Sequence, residues 1–294
     1  MKRKLVKQGA ATMMISLPSK WIKENKLGKG DEVDMLEENN SLKISLDKKK
    51  NKLEMSVSPN TEVESSLRVI LTNVYRTGYD SIKIKFSNKR ELDIIEDVVS
   101  KNLLGFEVIS KSNNLCVIEN ITEPSADQFE NIFNKLLLNI DELFSLLIDY
   151  KKGSDFETTE RQVQRFDNFC RRVVSKTEFG YKANLRYSFH NELIHAQRQI
   201  YLILRYLSTK NVKLEKGFIE LVKETKSQFD SIKKAYFEKD LSLLEKIHKN
   251  EKDLIYNKGY KLLKSTGDPI LVYHLLSAIR NFYLSTSPLI GLVI

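Results

Sequence analysis

The sequence predicts an α+β protein in three consecutive parts: residues 1–50, 51–122 and 123–294. Three observations carry this reading. The first fifty residues are short strand-prone runs broken by turn residues. The next seventy interleave strand and helix patterns as β-α-β-α-β-β, a small two-layer α/β sandwich. From Pro124 onward, apolar residues recur every three or four positions without a return to alternation.

In the first part, residues 4–7 alternate in character and 12–17 form an apolar run ended by Pro18, which suits the first turn of a helix over 19–27. Gly28 and Gly30 let the chain stop and reverse. Strands over 32–37 and 42–46 then flank Asn39-Asn40, a pair suited to positive φ. In the second part, strands are expected at 53–57 and 82–86, and a helix over 63–76 with Leu67, Val69, Ile70 and Val74 as its apolar face, stopped by Gly78. Ser87 is the expected N-cap of a helix over 91–104, stopped by Gly105. A hairpin follows across Asn113-Asn114. The third part reads as six amphipathic helices over 125–152, 155–176, 189–209, 214–238, 240–265 and 268–290. In the first of these, Phe129, Ile132, Phe133, Leu136, Leu137, Ile140, Leu143 and Leu147 make a core-facing stripe, and Ser125 with Gln128 a capping box.

Net charge is +9. Residues 1–30 hold Lys2, Arg3, Lys4, Lys7, Lys20, Lys23, Lys26 and Lys29 against Glu24 alone, a net +7. Such a concentration favours a polyanion, because each phosphate contact releases counterions; a solvated lysine-rich face is the plainer alternative. Duplex DNA is the expected partner, with Lys4, Lys7 and Lys20 on phosphates, Lys2 and Arg3 as an arm, and Gln8 and Thr12 beside the Gly9 loop reaching base edges or backbone oxygens. Trp21 reads as core or dimer interface.

No apolar run approaches the roughly 18 residues of a membrane span. No apolar segment follows the first lysines as in a secretory signal, and Cys116 and Cys170 form neither a disulfide framework nor a CxxC site. A cytoplasmic location is expected. No phosphate loop, nucleophile–base pair or His/Cys cluster occurs, so neither an enzyme, a cofactor nor a metal is expected. His190, His195, His248 and His274 read as helix-surface residues, and Arg161, Arg165, Arg171 and Arg172 around Cys170 as partners of helix-surface acids such as Glu157 and Asp167, with an anion or a partner protein as the alternative.

The order strand, Gly9-Ala-Ala-Thr, strand, Leu17-Pro18, helix, Leu27-Gly28-x-Gly30-Asp31-x-Val33 resembles the swapped-hairpin DNA-binding fold of AbrB, SpoVT and MazE proteins. That resemblance implies half of a small β-barrel per chain, so that a homodimer is the folding unit; a monomeric β-rich subdomain is the alternative. Relatives often carry arginine where Ser16 stands here, and a serine cannot grip guanine through two hydrogen bonds.

Two blocks of three long helices are similar to the bundles of PhoU proteins. Where that family often carries Glu-x-x-x-Asp for metal, this chain has Glu160 and Gln164, and the matching third-helix region offers Gln197 and Arg198. Amides and guanidinium do not supply the anionic oxygens such a metal needs. Together the parts resemble a mostly archaeal family of PhoU-type regulators: a swapped-hairpin β-barrel, a small α/β unit and a PhoU-like six-helix bundle. Membership implies a DNA-binding regulator of phosphate uptake or homeostasis whose bundle receives a signal or partner. The rival reading is an adaptor whose bundle binds a transporter or sensor kinase while the barrel only dimerises.

Overall fold

The computed structural model describes residues 2–9, 12–38, 41–45, 52–122, 128–176, 180–210 and 212–294. The protein is α+β, and it divides into two compact units, 1–51 and 52–294.

In the first unit, Gly9 at φ 75° follows β1 (Val6–Gln8), which pairs antiparallel with β2 (Thr12–Met14). Pro18 leads into α1 (Ser19–Glu24), three residues shorter than the sequence suggests. Leu27 N–H donates to the Ile22 carbonyl and Asp31 Oδ2 accepts from Gly28 N–H at 2.6 Å, closing the Gly28–Asp31 turn. β3 (Asp34–Glu38) pairs antiparallel with β4 (Ser41–Ser45); the Asn39-Asn40 turn lies outside the described residues. The ribbons remain two separate two-stranded sheets, and no closed barrel forms among the described residues. Four short strands of a single copy cannot close a sheet on themselves. Nor is any described residue of this unit buried: Leu5, Met13, Met35 and Leu42 are 63, 58, 61 and 62% exposed. Isolated two-stranded hairpins of this kind are marginal in water.

The second unit opens with a four-stranded sheet in the order β5 (Glu54–Val57), β6 (Ser81–Lys85), β8 (Leu115–Asn120), β7 (Phe106–Ser112). β5 and β6 run parallel, joined through α2 (Glu64–Arg76); the other pairs are antiparallel. The buried stripe of α2 is Leu67, Leu71 and Tyr75, spaced by four, whereas Val69 is 54% exposed: residues i and i+4 share a helix face and i+2 does not. α3 (Lys89–Asn102) is capped one residue later than expected. Asn88 Oδ1 accepts from Glu91 N–H at 3.0 Å, and Glu91 Oε2 accepts from the N–H of Ser87, the residue before the cap, at 2.6 Å, a variant of the capping box. Asn113 and Asn114 adopt φ of 49° and 58°, the two-residue turn their identity suggests.

Gly105 turns the chain at φ 81°, and a Cβ there would meet the Thr122 carbonyl oxygen at 2.2 Å. Gly105→Ala therefore carries both backbone strain and a clash with main chain, and urea unfolding should report a loss of about 2–3 kcal/mol.

The remaining chain is helical: α4 (Phe129–Ile148), α5 (Phe156–Lys176), α6 (Ala183–Thr209), α7 (Lys216–Glu238), α8 (Ser242–Lys252), a π-helical segment Asp253–Gly259, α9 (Tyr260–Ser265) and α10 (Pro269–Val293). All eight residues of the expected α4 stripe are buried, joined by Phe144. Ser125 lies outside the described residues. α6 starts six residues before its expected position, and α10 continues through Pro288. α10 packs along α6, and α4 along α5. None of the described helices is long and apolar enough to cross a membrane.

α2 and α3 pack on α5, and this junction is polar. Arg172, only 2% exposed, donates from Nη1 to the Tyr75 and Tyr79 carbonyls at 3.0 and 2.7 Å, and from Nη2 to Asp80 Oδ1 at 2.7 Å. Lys176 Nζ bonds the same carboxylate at 2.5 Å. Burial alone would raise the Asp80 carboxyl, but these donors and charges outweigh it and hold the group below its ordinary value. Nearby, Arg76 Nε donates to Asn168 Oδ1 at 2.8 Å, and the Asn168 amide donates to the Asn102 carbonyl at 3.0 Å.

Candidate nucleic-acid interface

The cations that the sequence assigns to DNA are all at the surface. Lys2, Arg3 and Lys4 occupy the extended, exposed chain before β1. Lys7, at the centre of β1, stands opposite Met13, while Gln8 stands opposite Thr12 and Val6 opposite Met14. Successive strand residues face opposite sides. Gln8 and Thr12 are thus brought together as one polar pair beside Gly9, and Lys7 projects from the other side of the ribbon. Lys20 sits on α1, where its ammonium lies 3.8 Å from Glu24 with side chains 86 and 61% exposed, a pairing too solvated to hold it. Lys23, Lys26 and Lys29 follow on α1 and the turn after it, all exposed. Trp21 is half-buried.

The positions that resemble a PhoU metal motif converge on a different arrangement. Glu160 on α5 is 4% exposed. Its Oε1 accepts from Arg198 Nη1 at 2.7 Å and from Gln164 Nε2 at 3.0 Å, and its Oε2 accepts from Gln197 Nε2. Gln164 is one turn along α5, while Gln197 and Arg198 come from α6. Arg198 also lies over the Tyr201 ring, 4.5 Å from its centre. Three of about four acceptor positions on this carboxylate are filled by the protein's own donors, and a guanidinium stands where a cation would. No group of three His, Cys, Asp or Glu side chains suited to a metal occurs among the described residues.

Burial pushes the Glu160 carboxyl up, with Arg198 and the amides offsetting part of that effect. Its stabilising contribution is therefore full below the ordinary glutamate value and is lost as pH rises through the raised folded one. Glu160→Gln removes that dependence. Melting curves between about pH 4 and 7 should show the variant gaining on the parent protein as pH rises.

Other sequence expectations fare differently. Asp167 accepts from Arg171 Nε at 2.9 and 2.8 Å, the expected pairing, but the pair is buried (0 and 4% exposed) rather than on the helix surface, because α2 and α3 cover this face of α5. Glu157 instead accepts from the Tyr201 hydroxyl at 3.1 Å, and Arg172 finds Asp80. His190, expected on a helix surface, is 1% exposed against the rings of Phe129, Phe133 and Phe189. Its Nδ1 is 3.9 Å from Asp167 without a hydrogen bond, and burial drives its pKa well below the usual value, so it is neutral. The signal for the polar junction was present: two adjacent arginines between Cys170 and Val173 in an otherwise apolar stretch.

No family model, curated protein or solved structure matches this chain.

Proposed function

We propose that this protein is a dimeric, non-enzymatic DNA-binding regulator of the PhoU type, acting in phosphate homeostasis. In this reading two copies interleave their N-terminal ribbons into one barrel, which docks on the phosphate backbone. The helices of residues 123–294 form a PhoU-like six-helix bundle that receives a signal or partner.

One observation carries it: residues 1–51 combine the chain's densest positive charge with a set of large exposed apolar side chains, and none of their described residues is buried. Apolar surface left open on so small a unit marks an interaction site. A second copy suits it by charge as well as by its open apolar side chains. Residues 1–30 carry net +7, whereas 31–38 hold Asp31, Glu32, Asp34, Glu37 and Glu38 without a cation, so each copy offers both signs. The phosphate link rests on the family resemblance alone.

The test is the affinity of the full chain for duplex DNA at rising salt, with oligomeric state measured alongside. A dimer whose binding weakens steeply with salt supports the proposal. Absence of binding at low salt, or a flat dependence, overturns it and leaves the ribbons as a dimerisation device.

A further inference from the structure

The helical part contains a polar cavity that the DNA reading does not use. It is an open pocket of about 190 Å³ between α7 and the α8–π segment, with Ser227, Lys246 and Asn250 exposed at its rim. Glu224, Ser227, Gln228 and Ser231 line one wall at the three-and-four spacing of a single helix face; Lys246, Ile247, Asn250 and Leu254 line the other.

The decisive residue is Gln228. It is 5% exposed, and neither its amide nitrogen nor its carbonyl oxygen has a hydrogen-bond partner. Native interiors pair nearly all such groups. One turn earlier on the same helix, the buried Thr225 hydroxyl is paired, donating to the Leu221 carbonyl at 2.8 Å. Gln228 thus holds an unpaired donor and an unpaired acceptor side by side in the wall of the cavity, where a small side-chain turn would expose them to it.

The surroundings narrow what would fill that space. Glu224 is already held by Lys258 at 2.7 Å, and Ser231 donates to the Ser227 carbonyl at 3.0 Å. Lys246, by contrast, has no carboxylate partner among the described residues, and leaves a positive charge at the cavity edge. Ile247 and Leu254 give an apolar wall. Leu254 belongs to the π-helical segment, whose Gly259 sits so close to α10 that a Cβ would meet Leu276 Cδ2 at 2.2 Å. Single-turn π segments recur at functional sites.

We propose that this cavity binds a small single-ring molecule whose amide-like edge pairs with Gln228 and whose anionic group faces Lys246. A lactam or carboxamide edge offers a donor and an acceptor at the spacing of a side-chain amide and returns both hydrogen bonds. The ring lies on Ile247 and Leu254. The volume suits one substituted ring, since about 150 Å³ accommodates benzene. The site makes the helical part a receptor for a small effector, and it stands independently of DNA binding.

The test titrates the full chain with three probes by calorimetry: orotate, which has edge and carboxylate; uracil, which has the edge; and benzoate, which has the carboxylate. Orotate should bind more tightly than uracil, and benzoate should not bind. Gln228→Leu should weaken orotate by about tenfold or more, and Lys246→Ala should bring orotate to the level of uracil while leaving uracil unchanged. The unliganded Gln228→Leu protein should melt about 2–4 °C higher than the parent, because an unpaired amide has been removed. Failure of both orotate and uracil to bind at millimolar concentration overturns the proposal. Equal binding of benzoate, undiminished binding to Gln228→Leu, or a lower melting temperature of that variant without ligand does so too.

Discussion

Arg172→Met should cost residues 52–294 about 3–5 kcal/mol, the range for breaking a buried ion pair from one side. The substitution roughly keeps the apolar stem and removes only the guanidinium. Its loss leaves the Tyr75 and Tyr79 carbonyls without the donor that now reaches both, and strips Asp80 of one of its two cations. The guanidinium also lies 5.1 Å from the centre of the Tyr75 ring and 4.8 Å from that of Phe106, contacts worth more when desolvated. Because these partners belong to the α/β part, residues 52–122, and Arg172 belongs to α5, the loss should appear in both. Urea unfolding followed by far-UV circular dichroism would report the change in midpoint. A shift below about 1 kcal/mol would mean that the junction relaxes around the missing group. Acid acts on the same cluster. The Asp80 carboxyl is held below its ordinary value, so its contribution is present above the unfolded-state pKa and fades as pH falls through the folded one.

The second large effect concerns the N-terminal cations. Replacing Lys4, Lys7 and Lys20 together by alanine should weaken duplex DNA binding by about 10⁴-fold or more at low salt. In a dimer six contacts are lost, so the slope of log affinity against log salt should fall by about five. Alanines at Lys223, Lys234 and Lys252, equally exposed on the helical part, should leave both quantities unchanged. This contrast separates a docking face from general lysine richness. Equal losses from the two sets would make the attraction a property of net charge alone. Ser16 bears on the outcome as well: without a bidentate side chain there, the salt-dependent component should dominate over discrimination between sequences.

Much of the fold was legible because periodicity reports burial directly. The α4 stripe could be read residue by residue, as could the Asn113-Asn114 turn, whose side chains tolerate positive φ. The failures share a cause. Val69 and His190 were assigned from residue type and approximate spacing, whereas their burial depends on which neighbouring layer covers each helix face. Ser87 gave way to Asn88 because both are capping residues and only the position of Glu91 decides between them. As for the candidate sites, Glu160, Gln164, Gln197 and Arg198 were picked out by their place in a motif, but their convergence required α6 to lie against α5. Gln228 gave no signal at all: a glutamine in an amphipathic helix is unremarkable until its surroundings show that nothing bonds it. The partners of Arg172 lie more than ninety positions away in sequence, a separation no local pattern encodes.

In the proposed dimer, the exposed apolar side chains of the first unit would tie its folding to abundance. A unit completed only by association melts by mass action, so dilution should unfold it while residues 52–294 keep their structure. Scarce protein would then be silent on DNA yet still able to receive a ligand in its helices, and synthesis rate itself would set DNA occupancy.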